Sequence, residues 1–336
     1  MVTIKDVAKR ANVSITSASY ALNETGTLSD ETRQRILEAA EALSYHPNPF
    51  ARKLKTGKTY TIGVFITRFG GAFYEDILEG IHAAVIDTDY ELIVCPESKT
   101  TQRFLIQREV DAAIIFDSKI KNKTIVNLVS EEFPIVVLDR SIPNKHLCSL
   151  LIDNEHGAKD VFYHFYNQNL RKIAFVTGAL DSIDNTERMQ AFLKEADRNH
   201  LEIPVYYGNF TELSGYEAAK TMIETQELPE AVMCANDQMA IGFLKAMKEY
   251  QLSAPEDIAV VGFDDIPLSR YMQPTLSTVC ASRFEWGYSA ANQLINYIEN
   301  GRPFQPYRVP IEFIPRESSI KPIILTTESS NNPHEH

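Results

Sequence analysis

The sequence predicts a small all-α head followed by a large α/β core of two doubly wound parallel-sheet subdomains. Three observations lead there. Short helical patterns with capping residues fill the first 46 positions. From Tyr60 onward, continuous apolar runs alternate with helical patterns, as in parallel sheets covered on both faces. After "SLLID", at residues 149–153, the alternation restarts, which doubles the core.

Charge separates the two parts. The chain of 336 residues has a formal net charge of −12, yet residues 1–58 hold nine Lys/Arg against six Asp/Glu. A basic head on an acidic body is the usual footprint of a nucleic-acid module on a non-binding body. "MVTIKDVAKR" lacks the apolar stretch of a signal peptide, and no run of about 18 apolar residues occurs, so no membrane span is expected. Cys95, Cys148, Cys234 and Cys280 are far apart, and read as buried thiols of a reducing cytoplasm rather than disulfides or a zinc site.

In the head, Thr3 can N-cap a first helix, with Asp6 three positions on and Ile4, Val7, Ala8 and Ala11 on one face. Ser14 caps a second helix with Ala18, Ala21 and Leu22 inside and Ile15, Thr16, Ser17, Ser19, Tyr20 and Asn23 outside. Ser29 caps a third, with Ile36, Leu37, Ala40 and Leu43 inward. The first connection has only about three residues, so the first two helices must cross steeply, as in a helix-turn-helix. The alternative is a small bundle that packs on the body. The second helix favours the former, because its outer face carries hydroxyls and an amide, which approach phosphates and base edges closely.

"YHPNPFARKLKTG" follows at 45–57. Asn48 is a good N-cap, Pro49 suits the first helical position and Gly57 can end the helix. About two turns are too short to be stable alone. Apolar side chains among Arg52, Lys53 and Lys55 match a minor-groove wedge. "TGKT" at 56–59 is not a P-loop, since the first glycine would stand at Arg52.

Residues 2–64, from "VTIKDVAKRANVS" through "YHPNPFARKL" to "TIGV", resemble the head of the lactose-repressor (LacI/GalR) family of bacterial transcription regulators. "CANDQMAIGFLKAMKE" and "DIAVVGFDDIPLSRYMQPTLSTV" extend the resemblance over nearly the whole chain. It implies that Ile15 and Thr16 read bases and that Leu54, beside Ala51, inserts into the minor groove from a hinge helix paired across a dimer. Tyr20 stands where the family often has arginine, so a different operator is expected. The implied core is periplasmic-binding-protein-like, closing on a ligand. Residues 1–46 are then the DNA-binding domain and 47–59 the hinge. Residues 60–336 are the effector-binding and dimerisation core, divided at about 60–153 with 283–308 and about 154–282 with 309–325.

Ligands in such sheets bind beyond the C-terminal strand ends. Those ends carry carboxylates, amides and aromatics, a set suited to a polyol. For any one aspartate a helix cap is the plainer account, and Asp237 and Asp265 read as turn residues. By motif matching, Asp139, Arg188, Asn236 and Asp264 fall on family effector positions. Phe73 and Tyr74, in the loop after the first strand, are the aromatic candidates, and Arg283 lies where the chain crosses back.

The expected function is a cytoplasmic transcriptional repressor of carbohydrate-utilisation genes. Its expected partners are pseudo-palindromic operator DNA, a sugar or sugar-phosphate effector and a second copy of itself. "KPIILTTESSNNPHEH" has no leucine heptad, which favours a dimer over a tetramer. A solute-binding protein without DNA function conflicts with the basic head. An enzyme could use paired carboxylates in "GFDD", but no G-x-S-x-G, metal-like His pair or Rossmann fingerprint occurs. No cofactor or metal is expected.

Overall fold

The computed structural model describes residues 2–23, 25–46, 57–69, 72–99 and 101–320. The hinge positions Asn48, Ala51 and Leu54, and the tail from 321 to 336, lie outside the described residues. The chain divides into two units, the head to Tyr60, which also takes in Glu109–Asp111, and the core from Thr61.

Among the described residues, three helices build the head: α1 (Ile4–Arg10), α2 (Ile15–Leu22) and α3 (Asp30–Ala42). Asp6 closes the first turn of α1, accepting from the Thr3 backbone N–H at 2.9 Å and its hydroxyl at 2.7 Å. Ser14 caps α2 by accepting from the Ser17 N–H at 2.9 Å, and Ser29 caps α3 through Thr32. The head core is largely alanine, with Ala8, Ala11, Ala18, Ala21, Ala39 and Ala40 around Val7 and Ile36. Such small side chains let the helices approach closely, and Val13 closes the angle, its N–H bonded to the Ala8 carbonyl at 3.0 Å. Leu37 departs from expectation. It is 43% exposed, because Ile36, Ala39 and Ala40 form the inward stripe and Leu37 stands one step round the helix from it.

Among the described residues the core holds three sheets. A six-stranded parallel sheet has the order β11-β5-β4-β3-β1-β2. Its strands are β1 (Thr61–Ile66), β2 (Glu91–Pro96), β3 (Ala112–Phe116), β4 (Ile135–Val137), β5 (Leu147–Ile152) and β11 (Tyr307–Val309). The helices α4 (Ala72–Val85), α5 (Thr101–Ile106), α6 (Asn122–Leu128) and α11 (Arg283–Asn300) belong with it. A four-stranded parallel sheet has the order β7-β6-β8-β9, from β6 (Ile173–Val176), β7 (Val205–Tyr206), β8 (Ala231–Cys234) and β9 (Ala259–Val261). It carries α7 (Asn154–Asn167), α8 (Ile183–Arg198), α9 (Glu212–Glu224) and α10 (Asp237–Glu249). β10 (Thr278–Ala281) and β12 (Ile311–Ile314) form an antiparallel pair, joined to β9 by a bridge between Val261 and Ser277. The central strands β3, β4, β6 and β8 bury nearly every residue, which is why they read as unbroken apolar runs. Cys95, Cys148 and Cys234 are buried and unpaired, whereas Cys280 is only half-buried.

In each half one helix pair meets backbone to backbone. A Cβ on Gly80 of α4 would lie 2.0 Å from the Phe284 carbonyl oxygen of α11, and one on Gly287 of α11 would lie 2.0 Å from that of Ile77. In the other half, a Cβ on Gly215 of α9 would lie 1.9 Å from the Met239 oxygen, and one on Gly242 of α10 would lie 1.9 Å from that of Glu212. Even one methyl forces these helices apart. Gly287→Ala and Gly215→Ala should each lower stability by about 1–3 kcal/mol, the usual cost of overpacking. Urea unfolding measures it, and an unchanged midpoint in both variants would refute the contact.

Candidate ligand cavity and nucleic-acid interface

A cavity of about 960 Å³ lies in the core between the two large sheets, beyond the C-terminal ends of their strands. Its size suits a small organic ligand. Phe73 and Tyr74 line it, but from the first turn of α4 rather than from a loop. Their rings stand edge to face at 5.5 Å, and both pack on Phe116 at the end of β3. Burial raises the Tyr74 hydroxyl's pKa, so it remains a donor.

Asp139 and Arg140 enter after β4. Their side chains are joined by two bonds, 2.7 Å from Nε and 2.5 Å from Nη2. Arg140 also reaches the carbonyls of Ile120 and Asp117, at 2.6 and 2.5 Å. Asp139 is therefore a cavity wall that arrives already paired.

The floor comes from the second half. Arg188, on α8, is 3% exposed. It donates from Nε to Asn154 Oδ1 at 2.8 Å and from Nη1 to the Ala235 carbonyl at 2.6 Å, and it lies 3.6 Å over the Phe263 ring. Its Nη2 faces Asp264 Oδ1 at 3.6 Å, too long for a hydrogen bond. Among the described residues the Asp264 carboxylate accepts no hydrogen bond. Burial raises its pKa to about 6, against the pull of Arg188 and Arg283. Its backbone has φ 115°, a conformation that costs a non-glycine residue about 1–3 kcal/mol.

The turn around Asp264 is held by its neighbours. Asp237 accepts from the Ile266 N–H at 2.9 Å and from the Thr278 hydroxyl at 2.5 Å, and burial pushes its pKa well above the carboxylate range. Asp265 binds Arg270 and Arg316, at 2.5 and 2.6 Å. Burial raises its pKa, but those bonds outweigh burial and hold it below the usual value. Asp237 and Asp265 thus do the turn-holding, and the Asp264 side chain is left over. Asn236 lines the cavity while capping α10, accepting from the Met239 N–H at 3.0 Å and donating to the Phe210 carbonyl at 3.3 Å.

Arg283 is the correction. It does not line the cavity. Its guanidinium binds Asp76 at 2.8 Å and the carbonyls of Asp264 and Asp265, so it braces the crossover from α4 to the turn after β9. Two residues were missed. Asp184 lines the cavity one helical turn before Arg188, a spacing that could have found it. Asn154, fully buried just after β5, donates to Asp184 at 2.8 Å and Glu187 at 3.0 Å while orienting Arg188. Applying the strand-end rule to "SLLID" would have reached it.

In the head, Ile15, Thr16 and Tyr20 are exposed on α2, and so is Asn23 at its C-cap. Ser17 and Ser19 are half-buried, with bonds to Ser14 and Asn23 respectively. The Thr3 hydroxyl is committed to Asp6. Tyr20 covers Gly26, where a Cβ would lie 2.7 Å from its ring.

Two family models match the chain: bacterial regulatory proteins of the lacI family over residues 3–48, and a periplasmic binding protein-like domain over residues 162–319. A probable HTH-type transcriptional repressor of Bacillus subtilis, ExuR, is 34% identical, covering 83% of this chain and 86% of that protein. The repressor PurR of Aliivibrio salmonicida is 30% identical, covering 89% and 93%. A crystal structure of a sugar-binding transcriptional regulator from Enterococcus faecalis is 34% identical, with a TM-score of 0.72 over 79% of this chain and 99% of that one. The Lac repressor dimer bound to operator shares the fold, with a TM-score of 0.84 over 95% and 99% of the two chains at 24% identity. A helix-turn-helix head on a periplasmic-binding-protein-like core defines a bacterial transcription regulator. This chain belongs to the lacI family and is a DNA-binding transcriptional repressor. Its relatives regulate transcription and are not enzymes. Among the described residues no helix is long and apolar enough to cross a membrane.

The half-buried Asp264 gives a pH test. A carboxyl with a raised native pKa holds its proton more tightly folded than unfolded, so the stability it costs shrinks as pH falls. Between pH 7 and pH 5, wild type should gain about 1 kcal/mol on Asp264→Asn in urea unfolding. Parallel curves would show that Asp264 titrates normally.

Proposed function

We propose that this repressor acts as a homodimer on pseudo-palindromic operator DNA and answers to a sugar or sugar-derived effector bound in the core cavity. The observation that carries the effector reading is the floor. Asp264 is a strained, half-buried carboxylate that accepts no hydrogen bond among the described residues, set beside Arg188 in a cavity that the aromatic pair Phe73 and Tyr74 also lines. A carboxylate accepts from two hydroxyls, the Nη2 of Arg188 can donate to a ring or hydroxyl oxygen, and an aromatic face covers the apolar side of a sugar ring. The sugar-binding regulator from Enterococcus faecalis, at 34% identity, supports the same class of ligand. Carbohydrate-utilisation genes are the corresponding targets.

On the DNA side, Ile15 and Thr16 are the base readers at the start of α2, and Ser17, Ser19, Tyr20 and Asn23 complete that face. Ser14, at a helix start, suits a phosphate contact, whereas Thr3 has both its N–H and its hydroxyl on Asp6. The hinge positions Asn48, Ala51 and Leu54 would add the minor-groove element. The two-fold symmetry of a dimer matches a pseudo-palindrome.

Arg188→Ala should shift the effector's influence on operator binding to higher effector concentration while leaving operator affinity without effector unchanged. Losing a charged hydrogen-bond partner costs about 1.5–3 kcal/mol, so the effector's affinity should fall roughly 10–100-fold. Operator titrations with and without the active sugar measure both, and a normal response in the folded variant would put the site elsewhere. Tyr20→Arg should change the preferred operator more than total DNA affinity, since a bidentate arginine–guanine contact is worth about 1–3 kcal/mol of discrimination. Selection from random DNA checks this, and an unchanged consensus would exclude Tyr20 from base reading.

A further inference from the structure

The charges around the cavity are unequally available. Arg68, Arg140 and Arg188 line it, as do Asp139, Asp181, Asp184 and Asp264. Arg140 spends its guanidinium on Asp139, two backbone carbonyls and Asn122. Arg188 gives Nε and Nη1 to protein oxygens and lays its face on Phe263. What remains on the floor is a surplus of acceptors. Among the described residues, Asp264 has both oxygens free of hydrogen bonds, and Asp184 uses only one, for Asn154. Against them stands a single guanidinium nitrogen, Arg188 Nη2, which already faces Asp264. Arg68 and Asp181 are exposed, where water screens them.

Such a floor asks a ligand for protons to share. A sugar hydroxyl can donate to Asp264 and Asp184. A phosphate or carboxylate brings a second anion beside two carboxylates in a poorly hydrated place, where like charges repel strongly. We infer that the cavity selects an uncharged polyol and rejects the phosphorylated or acidic form of the same sugar, with Asp264 and Asp184 as the residues that set this preference. The inference rests on reading the cavity as a sugar site and narrows that reading.

Matched sets test it on the full-length protein: a free aldose, its terminal phosphate and its uronic acid, for several hexoses and pentoses. Calorimetry reads each affinity and an operator titration confirms that the protein is active. At least one free aldose should bind, with its phosphate and its acid weaker by about tenfold or more, the loss expected when a charged hydrogen bond fails. Asp184→Asn and Asp264→Asn should narrow that gap. A phosphate or uronic acid that binds as tightly as its free sugar overturns the charge selection and leaves the sugar reading standing. Binding by no member of any set, with operator binding intact, overturns the sugar reading and this inference together.

Discussion

One buried cation organises the cavity floor. Removing a guanidinium from water costs several kcal/mol unless its donors are met. Arg188 is met from three directions: Asn154 after β5, the Ala235 carbonyl after β8, and the ring of Phe263 after β9. Each partner follows a different strand, so the arginine registers those strand ends against one another. The charge that would complete its shell, Asp264, is held 3.6 Å away on a strained backbone. The floor is thus assembled around an interaction that stops just short of closing.

The same division of labour runs through the neighbouring acids. Asp237 and Asp265 are more deeply buried than Asp264 and fully engaged, one with a backbone N–H and a hydroxyl, the other with two arginines. Their bonds offset the strain at Asp264 and keep its carboxylate out of the turn. The glycine contacts between α4 and α11, and between α9 and α10, tie the helices of each half at backbone distance. A half built this way yields poorly within itself, so any response to a ligand falls to the crossovers, where Arg283 and the Arg308–Glu187 pair stand.

The sequence revealed those parts whose physics is local. Buried parallel strands are continuous apolar runs, so β1, β3, β6 and β8 were visible directly. Capping made α1, α2 and α3 visible, although Leu37 showed that an apolar residue beside a stripe need not belong to it. β10, β11 and β12 were not legible, because each has three or four residues and pairs with chain far away in sequence. The cavity acids Asp139 and Asp264 were reached through motifs at strand ends. Asn154 was not, since its importance lies in contacts with α8 some thirty positions on. Arg283 was misplaced for the opposite reason. Its position in the chain is correct for a cavity residue, but Asp76 on α4 draws it aside.

Trp286 is the chain's one tryptophan, fully buried, with its indole N–H bonded to the Leu150 carbonyl at 2.7 Å. Its ring stands 5.2 Å from Phe116 and 6.5 Å from Phe73, both of which line the cavity. Indole emission responds to the field and packing of its surroundings, and here the surroundings are one aromatic layer away from whatever occupies the floor. The molecule therefore carries its own optical probe, unmixed with any second indole signal. Excitation of that single chromophore reports on the cavity wall without a label and without a change to the chain.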